Sequence, residues 1–215
     1  MTDWLSVRRG QAPLIISIPH AGTHIPDDIA AMLVSLPLAL RDADYHVDLL
    51  YGFAADLGAT VIQTAMSRTV IDVNRDPSGH SLYPGQATTG LCPETDFDGT
   101  PLYVTGREPL AAEIARRQAL YFDPYHSAIR NEVARLRELH GAIVLFDAHS
   151  IRGRVPRLFD GELPQFNIGT FDGRSCAPEL AMAVARCCAH PSTVIDGRFK
   201  GGWITRHYGD PANGL

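Results

Sequence analysis

The sequence predicts an α/β fold, a three-layer α-β-α sandwich built on a mostly parallel or mixed sheet. Three observations point there. Short apolar runs stop abruptly at polar residues, as strands buried inside a sheet do. These runs alternate with segments of helical spacing. The 215 residues, 45% of them hydrophobic, can bury one sizeable core. No internal repeat, low-complexity tract or linker divides them, so residues 1–215 read as a single domain.

Met1 to Gln11 carries Asp3, Arg8 and Arg9 and no apolar run, so it reads as neither signal peptide nor anchor. Pro13 to Pro19 is a strand, and it runs into His20-Ala21-Gly22-Thr23-His24-Ile25-Pro26. Gly22 and the flanking prolines shape a fixed loop, which suits a ligand at His20. His24 reads better as a solvent-facing turn residue. From Asp44, the spacing of Val47, Leu50, Ala54 and Leu57 predicts a helix stopping at Gly58. Ala59 to Ala65 is a strand followed by Ser67-Arg68, and Thr69 to Val73 another, ending in Asn74-Arg75. Residues 76–106 are rich in Gly and Pro, and a loop of that length in a compact domain reads as a lid. Glu108 to His140 is helical, broken near Asp123-Pro124, with its Arg and Glu residues on a solvated face.

Ile143 to Phe146 reads as the central strand, buried on both faces, and it ends at Asp147-Ala148-His149-Ser150. In open α/β sheets ligands bind beyond the carboxyl ends of strands, so these polar residues stand where chemistry is placed. A loop with Arg152, Arg154 and Arg157 follows. Phe166 to Gly169 is then a short strand, Pro178 to Cys188 a helix and Thr193 to Ile195 a strand. The remainder, through Pro211-Ala212-Asn213-Gly214-Leu215, has turn composition.

A net charge of -5 and a pI of about 5.9 leave no basic field for nucleic acid, so a small charged molecule is the expected partner. No stretch reaches the roughly 20 apolar residues that cross a bilayer. Cys92, Cys176, Cys187 and Cys188 lack zinc-ribbon spacing and read as reduced thiols of a cytoplasmic protein. Any metal must therefore use His and carboxylates.

If the strand ends converge, His20, His149 and a carboxylate from Asp44 or Asp48 give two imidazoles and one oxygen. That set suits one catalytic Zn²⁺ with an open position. Spacing alone does not separate the two aspartates; Asp44 is preferred because the first helical turn lies nearer the strand ends. Arg68, Asn74 and Arg75 beside it would hold substrate carboxylates, since guanidinium matches a carboxylate in two-pronged geometry. The residues thus predict a metal amidohydrolase acting on an anionic substrate.

Asp72-Val73-Asn74-Arg75 and Asp147-Ala148-His149-Ser150 are similar to segments of zinc carboxypeptidases. More of the chain resembles the N-formylglutamate amidohydrolase family. The matching blocks are Ser17-Ile18-Pro19-His20-Ala21-Gly22, Asp44 to Asp48, Ser67-Arg68, Asp72 to Arg75, Asp147 to Arg152, Pro156-Arg157-Leu158-Phe159 and Gly197 to Gly202. The resemblance implies a zinc-exopeptidase-like (phosphorylase/hydrolase-like) fold and hydrolysis of N-formyl-L-glutamate to formate and L-glutamate in histidine breakdown. It adds Arg152 to the substrate-binding candidates. It also implies a general-base glutamate on a strand after Gly-Gly-x-Ile-x-Arg, which would lie beyond Leu215.

Two alternatives remain. Asp44-Tyr45-His46-Val47-Asp48 and Asp147-Ala148-His149 echo the Asp-x-His-x-Asp signature of di-manganese ureohydrolases, which would act on formimidoylglutamate. The first copy, however, opens a helix, and the second has Ser150 where the last carboxylate belongs. A non-catalytic binder of glutamate-like anions is the other.

Overall fold

The computed structural model describes residues 4–188 and 192–215, so Asp3 lies outside the described residues. Four strands form the main sheet: β1 (Leu5–Arg8), β2 (Leu14–Ile18), β3 (Thr60–Thr64) and β4 (Val144–Asp147), in the order β1-β3-β2-β4. β2 pairs in parallel with both β3 and β4, while β1 runs antiparallel to β3, so the sheet is mixed. β5 (Phe166–Ile168) and β6 (Thr193–Ile195) form a separate parallel pair. The helices are α1 (Asp27–Ala30), α2 (Leu36–Ala39), α3 (Val47–Leu50), α4 (Ala111–Arg117), α5 (Asp123–Leu139), α6 (Pro178–Cys188) and α7 (Trp203–Tyr208).

The parallel register explains the apolar run in β2. Successive side chains of a strand point to opposite faces. Ile15 accordingly joins a core cluster with Ile62, Tyr125, Ile129 and Leu136, whereas Ile16 and Ile18 pack with Val47, Ala54 and Val61. Each such isoleucine, fully withdrawn from water, stabilises the fold by roughly 1.5–3 kcal/mol. Both faces of β2 are therefore covered, and its carboxyl end is held firmly.

Several elements differ from expectation, each for a local reason. β4 is only half-buried, because it is an edge of the four-stranded sheet and not its centre. Thr69–Val73 forms no strand. Val70 N bonds Ser67 O, Thr69 N bonds Ser67 Oγ, and Asn74 N bonds Asp72 Oδ1, so turns capture the backbone while Val70, Ile71 and Val73 bury their side chains. The helix expected from Asp44 is reduced to α3 and a 3₁₀ turn at Gly52–Ala55; Val47 and Ala54 are buried, but Leu50 and Leu57 face solvent.

The break near Pro124 takes the form of a π-turn, Gln118–Phe122, between α4 and α5. The face of these helices is not wholly solvated: Arg117 and Glu132 are buried. Arg117 is held by Glu113, Tyr103 and Val70 O, and Glu132 by Arg9 and Arg135. Residues 89–103 are no free lid, since Leu91, Cys92, Phe97, Leu102 and Tyr103 are buried. Sequence reading missed β1, α1, α2 and α7, all of six residues or fewer, too short to show a period.

Candidate metal and anion site

His20 follows the end of β2. Its loop presses against the end of β3, where His24 N bonds Ala65 O at 2.8 Å. The approach requires Gly22, because a Cβ there would stand 2.4 Å from the carbonyl carbon of Ala65. Burial, with Arg68 close by, holds the His20 imidazole below its ordinary pKa. The neutral ring donates from Nε2 to Asp72 Oδ1 at 2.7 Å. Its Nδ1 is left buried with no hydrogen-bond partner.

Asp44 is also buried, and its backbone N bonds His20 O. Its carboxylate does not cap α3, whose N-cap is His46. Oδ2 instead accepts from Ser150 N at 3.1 Å and lies 2.9 Å from His149 Nδ1 and 3.8 Å from His20 Nδ1. Burial pushes the Asp44 carboxyl up, but the hydrogen bond from His149 and the nearby His20, His149 and Arg68 side chains bring it below the usual range.

His149 stands just past β4. Its Nε2 donates to Asp147 Oδ2 at 2.8 Å, and Ser17 Oγ fixes the other Asp147 oxygen at 3.0 Å. Withdrawal from water pulls the His149 pKa down, yet Asp147 and Asp44 outweigh this and raise it to about 10. Two carboxylates flanking one imidazole demand a positive charge here, which a proton or a metal ion can supply.

His20, Asp44 and His149 each offer one ligand atom, all within 4.8 Å of one another. Two nitrogens and an oxygen, with one buried nitrogen lacking any partner, fit a Zn²⁺-like ion. Asp48 does not join them; it lines a separate small pocket with Ser6, Arg8 and Tyr51. His46 is exposed, so the Asp-x-His-x-Asp echo at 44–48 is not assembled into a cluster.

The two arginines converge on the same place. Arg68 Nη2 donates to Asp72 Oδ2 at 2.6 Å, with its guanidinium 4.8 Å from the Phe97 ring centre. Arg75 Nη2 lies 3.7 Å from the same oxygen and bonds Thr89 Oγ1, while Nε bonds Thr89 O. Burial raises the Asp72 carboxyl, but Arg75, His20 and Arg68 together drive it well below the usual range. Asn74 is fully engaged by protein: Nδ2 donates to Asp147 Oδ2 and Oδ1 accepts from Ile204 N. A Cβ on Gly202 would strike that amide at 2.5 Å, so glycine is required there.

His20, Asp44, Arg68, Asn74, Arg75 and His149 all line one cleft of about 1380 Å³. Arg152 is not among its lining residues and pairs at the surface with Asp42 and Asp98. Asp147 stands at the strand end where the sequence places chemistry, but with no role assigned to it, and Asp72 carries no site role in the sequence although it belongs to Asp72-Val73-Asn74-Arg75. The signal was present in their spacing, two residues before Asn74 and His149.

The N-formylglutamate amidohydrolase family model matches residues 12–215. The chain belongs to that family. It is 50% identical over 215 residues to the N-formylglutamate deformylase of Pseudomonas putida, covering 99% of this chain and 80% of the relative. The deformylase of Pseudomonas aeruginosa is 50% identical over 214 residues, with 98% and 80% covered. Among solved structures, the N-formylglutamate amidohydrolase from Ralstonia eutropha JMP134 superposes with a TM-score of 0.80 at 26% identity, covering 98% of this chain and 82% of its own. A gene product of Agrobacterium tumefaciens gives 0.64 at 17% identity, a likeness of fold, over 91% of this chain and 74% of its own. The mixed α/β architecture is thus that of an N-formylglutamate amidohydrolase.

Proposed function

We propose that this chain hydrolyses N-formyl-L-glutamate to formate and L-glutamate as a zinc-dependent amidohydrolase of histidine breakdown in the cytoplasm. One zinc per chain would be held by His20, Asp44 and His149. The observation that carries the metal assignment is the buried, unpartnered Nδ1 of His20 beside two further ligand atoms. The substrate assignment is supported by the two relatives named N-formylglutamate deformylase, each identical at half of the aligned positions. The proposal includes a zinc-exopeptidase-like three-layer sandwich, supported by separate apolar clusters on the two faces of β2 and β3.

When bound, the ion supplies Lewis acidity, acidifying water toward a pKa of about 7 and polarising an amide carbonyl. The chain's own residues do the rest. Asp72 holds His20 in the tautomer that frees Nδ1. Asp147, fixed by Ser17 and Asn74, orients His149 in the same way. Arg68 and Arg75 give the pocket its positive face and hold a substrate carboxylate. The family resemblance also implies a general-base glutamate, and among the described residues that line the cleft the one glutamate is Glu162.

The test is zinc content and formate release measured together. The chain should bind one zinc, and His149→Ala should lose it along with turnover. Full zinc occupancy in His149→Ala, or formate release indifferent to a chelator, would overturn the metal assignment.

A further inference from the structure

The cleft contains a cation that no carboxylate pairs with among the described residues. Arg198 lines it together with His20, Asp44, Arg75 and His149. Arg198 Nε donates to Leu158 O at 2.7 Å and Nη2 to Ala87 O at 3.2 Å. Nη1 is buried and has no hydrogen-bond partner. Among the described residues no carboxylate forms an ion pair with it. Aromatic rings flank the guanidinium, Tyr83 at 5.2 Å and Phe199 at 5.1 Å. A guanidinium stays charged throughout the working pH range. Leaving one of its donors buried and unmade is costly unless a ligand completes it.

The place of this donor relative to Arg75 narrows the ligand. Arg75 is held by Thr89 O and Arg198 by Ala87 O. One short segment therefore positions both guanidinium groups on carbonyls two residues apart, which extended backbone spans in about 7 Å at most. Each guanidinium thus lies within hydrogen-bond reach of one of two neighbouring carbonyls, close enough together for one small dicarboxylate, its two charges joined by a short carbon chain, to address both. Arg68 is the less suitable second anchor, because Asp72 already neutralises it at 2.6 Å.

We propose that Arg198 is a specificity-determining residue whose free Nη1 holds the second carboxylate of a dicarboxylate substrate, while Arg75 faces the first. This rests on the deformylase reading above and adds the residue that selects for the second charge. Tyr83 and Phe199 flank the Arg198 guanidinium, and the hydrogen bonds to Leu158 O and Ala87 O fix its fork in advance, so little ordering remains when the ligand arrives.

The experiment compares N-formylglutamate with N-formylglutamine, which carries a neutral amide in place of the second carboxylate. In Arg198→Met, kcat/KM for N-formylglutamate should fall ten- to hundredfold, mainly through KM. The loss for N-formylglutamine should be at least tenfold smaller, so the preference collapses. Arg198→Lys, which keeps a charge but not the fork, should retain an intermediate preference. A purely structural strut between the loops holding Ala87 and Leu158 would lower both substrates equally, and that result overturns the proposal, as does an unchanged preference.

A second arm needs no turnover. Calorimetric binding of L-glutamate and L-glutamine should favour glutamate at least tenfold in the parent chain and neither ligand in Arg198→Met. A parent chain without preference overturns the proposal. Glutamate binding through Arg198 without formate release would leave it standing and remove the deformylase reading. Formate release with a preference indifferent to Arg198 would do the reverse.

Discussion

Asp72 joins the parts of this site that sequence reading could only place side by side. One oxygen accepts from His20 Nε2 and Asn74 N; the other accepts from Arg68 and lies near Arg75. Asp72→Asn would set an amide nitrogen against either His20 or Arg68 and leave a buried guanidinium uncompensated. Breaking a buried pair in this way costs about 3–5 kcal/mol, and removing a carboxylate that orients a metal-binding histidine costs about 10–100-fold in metal affinity. Denaturant midpoints and a zinc titration should show both losses. Asp48→Asn should show neither; zinc affinity unchanged in Asp72→Asn would contradict the orienting role. The sequence made His20, His149, Arg68 and Arg75 legible because each stands where an apolar run stops. It did not separate Asp44 from Asp48. That choice depends on a turn in which Asp44 N bonds His20 O and His46 takes a left-handed backbone, φ 64°.

At the scale of elements, α5 is tied to the segment carrying Asn74 and Arg75 through His126. Its Nε2 donates to Val73 O at 2.8 Å, its Nδ1 meets Tyr208 OH at 2.9 Å, and the ring lies between Phe122 and Tyr208. Burial lowers its pKa from 6.5 to about 4, with His207 and Arg130 acting in the same direction and Val73 O and Asp147 opposing them. The folded state therefore resists a proton that the unfolded chain accepts. Stability from this group is complete above pH 6.5, falls as the pH drops toward 4, and changes by on the order of 3 kcal/mol across that window. Urea unfolding at pH 7, 5.5 and 4.5 should show the decline, and His126→Gln should flatten it. An equal slope in the variant would assign the effect elsewhere. Long elements such as α5 and α6 were legible from their periodicity. Thr69–Val73 was not, because β-branched residues suit any buried extended backbone, and only the side chains of Ser67 and Asp72 decide that the chain turns instead.

On the scale of the whole molecule, the cleft is lined by both β4 and β5, the latter belonging to a different sheet, and it exceeds the roughly 300–1,000 Å³ usual for small-ligand pockets. The alternation of strands and helices made the α/β class legible, but nothing in a strand's own sequence tells which neighbour it pairs with. That is why Ile143–Phe146 read as a centre and stands at an edge. The same cleft sets a last prediction. Among the described residues that line it the one glutamate is Glu162, mostly exposed and paired with Arg154 at 2.7 Å. General-base assistance contributes about 10²–10⁴ in rate. Metal ligands and arginines without it should still bind zinc and glutamate-like anions, so Glu162→Gln should keep zinc and glutamate binding while formate release falls by that factor if Glu162 supplies the base. Formate release under zinc-replete conditions is the measurement. A drop of about 10² or more in Glu162→Gln would assign the role to Glu162 and require the Arg154 pair to open during the reaction, whereas an unchanged rate would exclude Glu162 as the base.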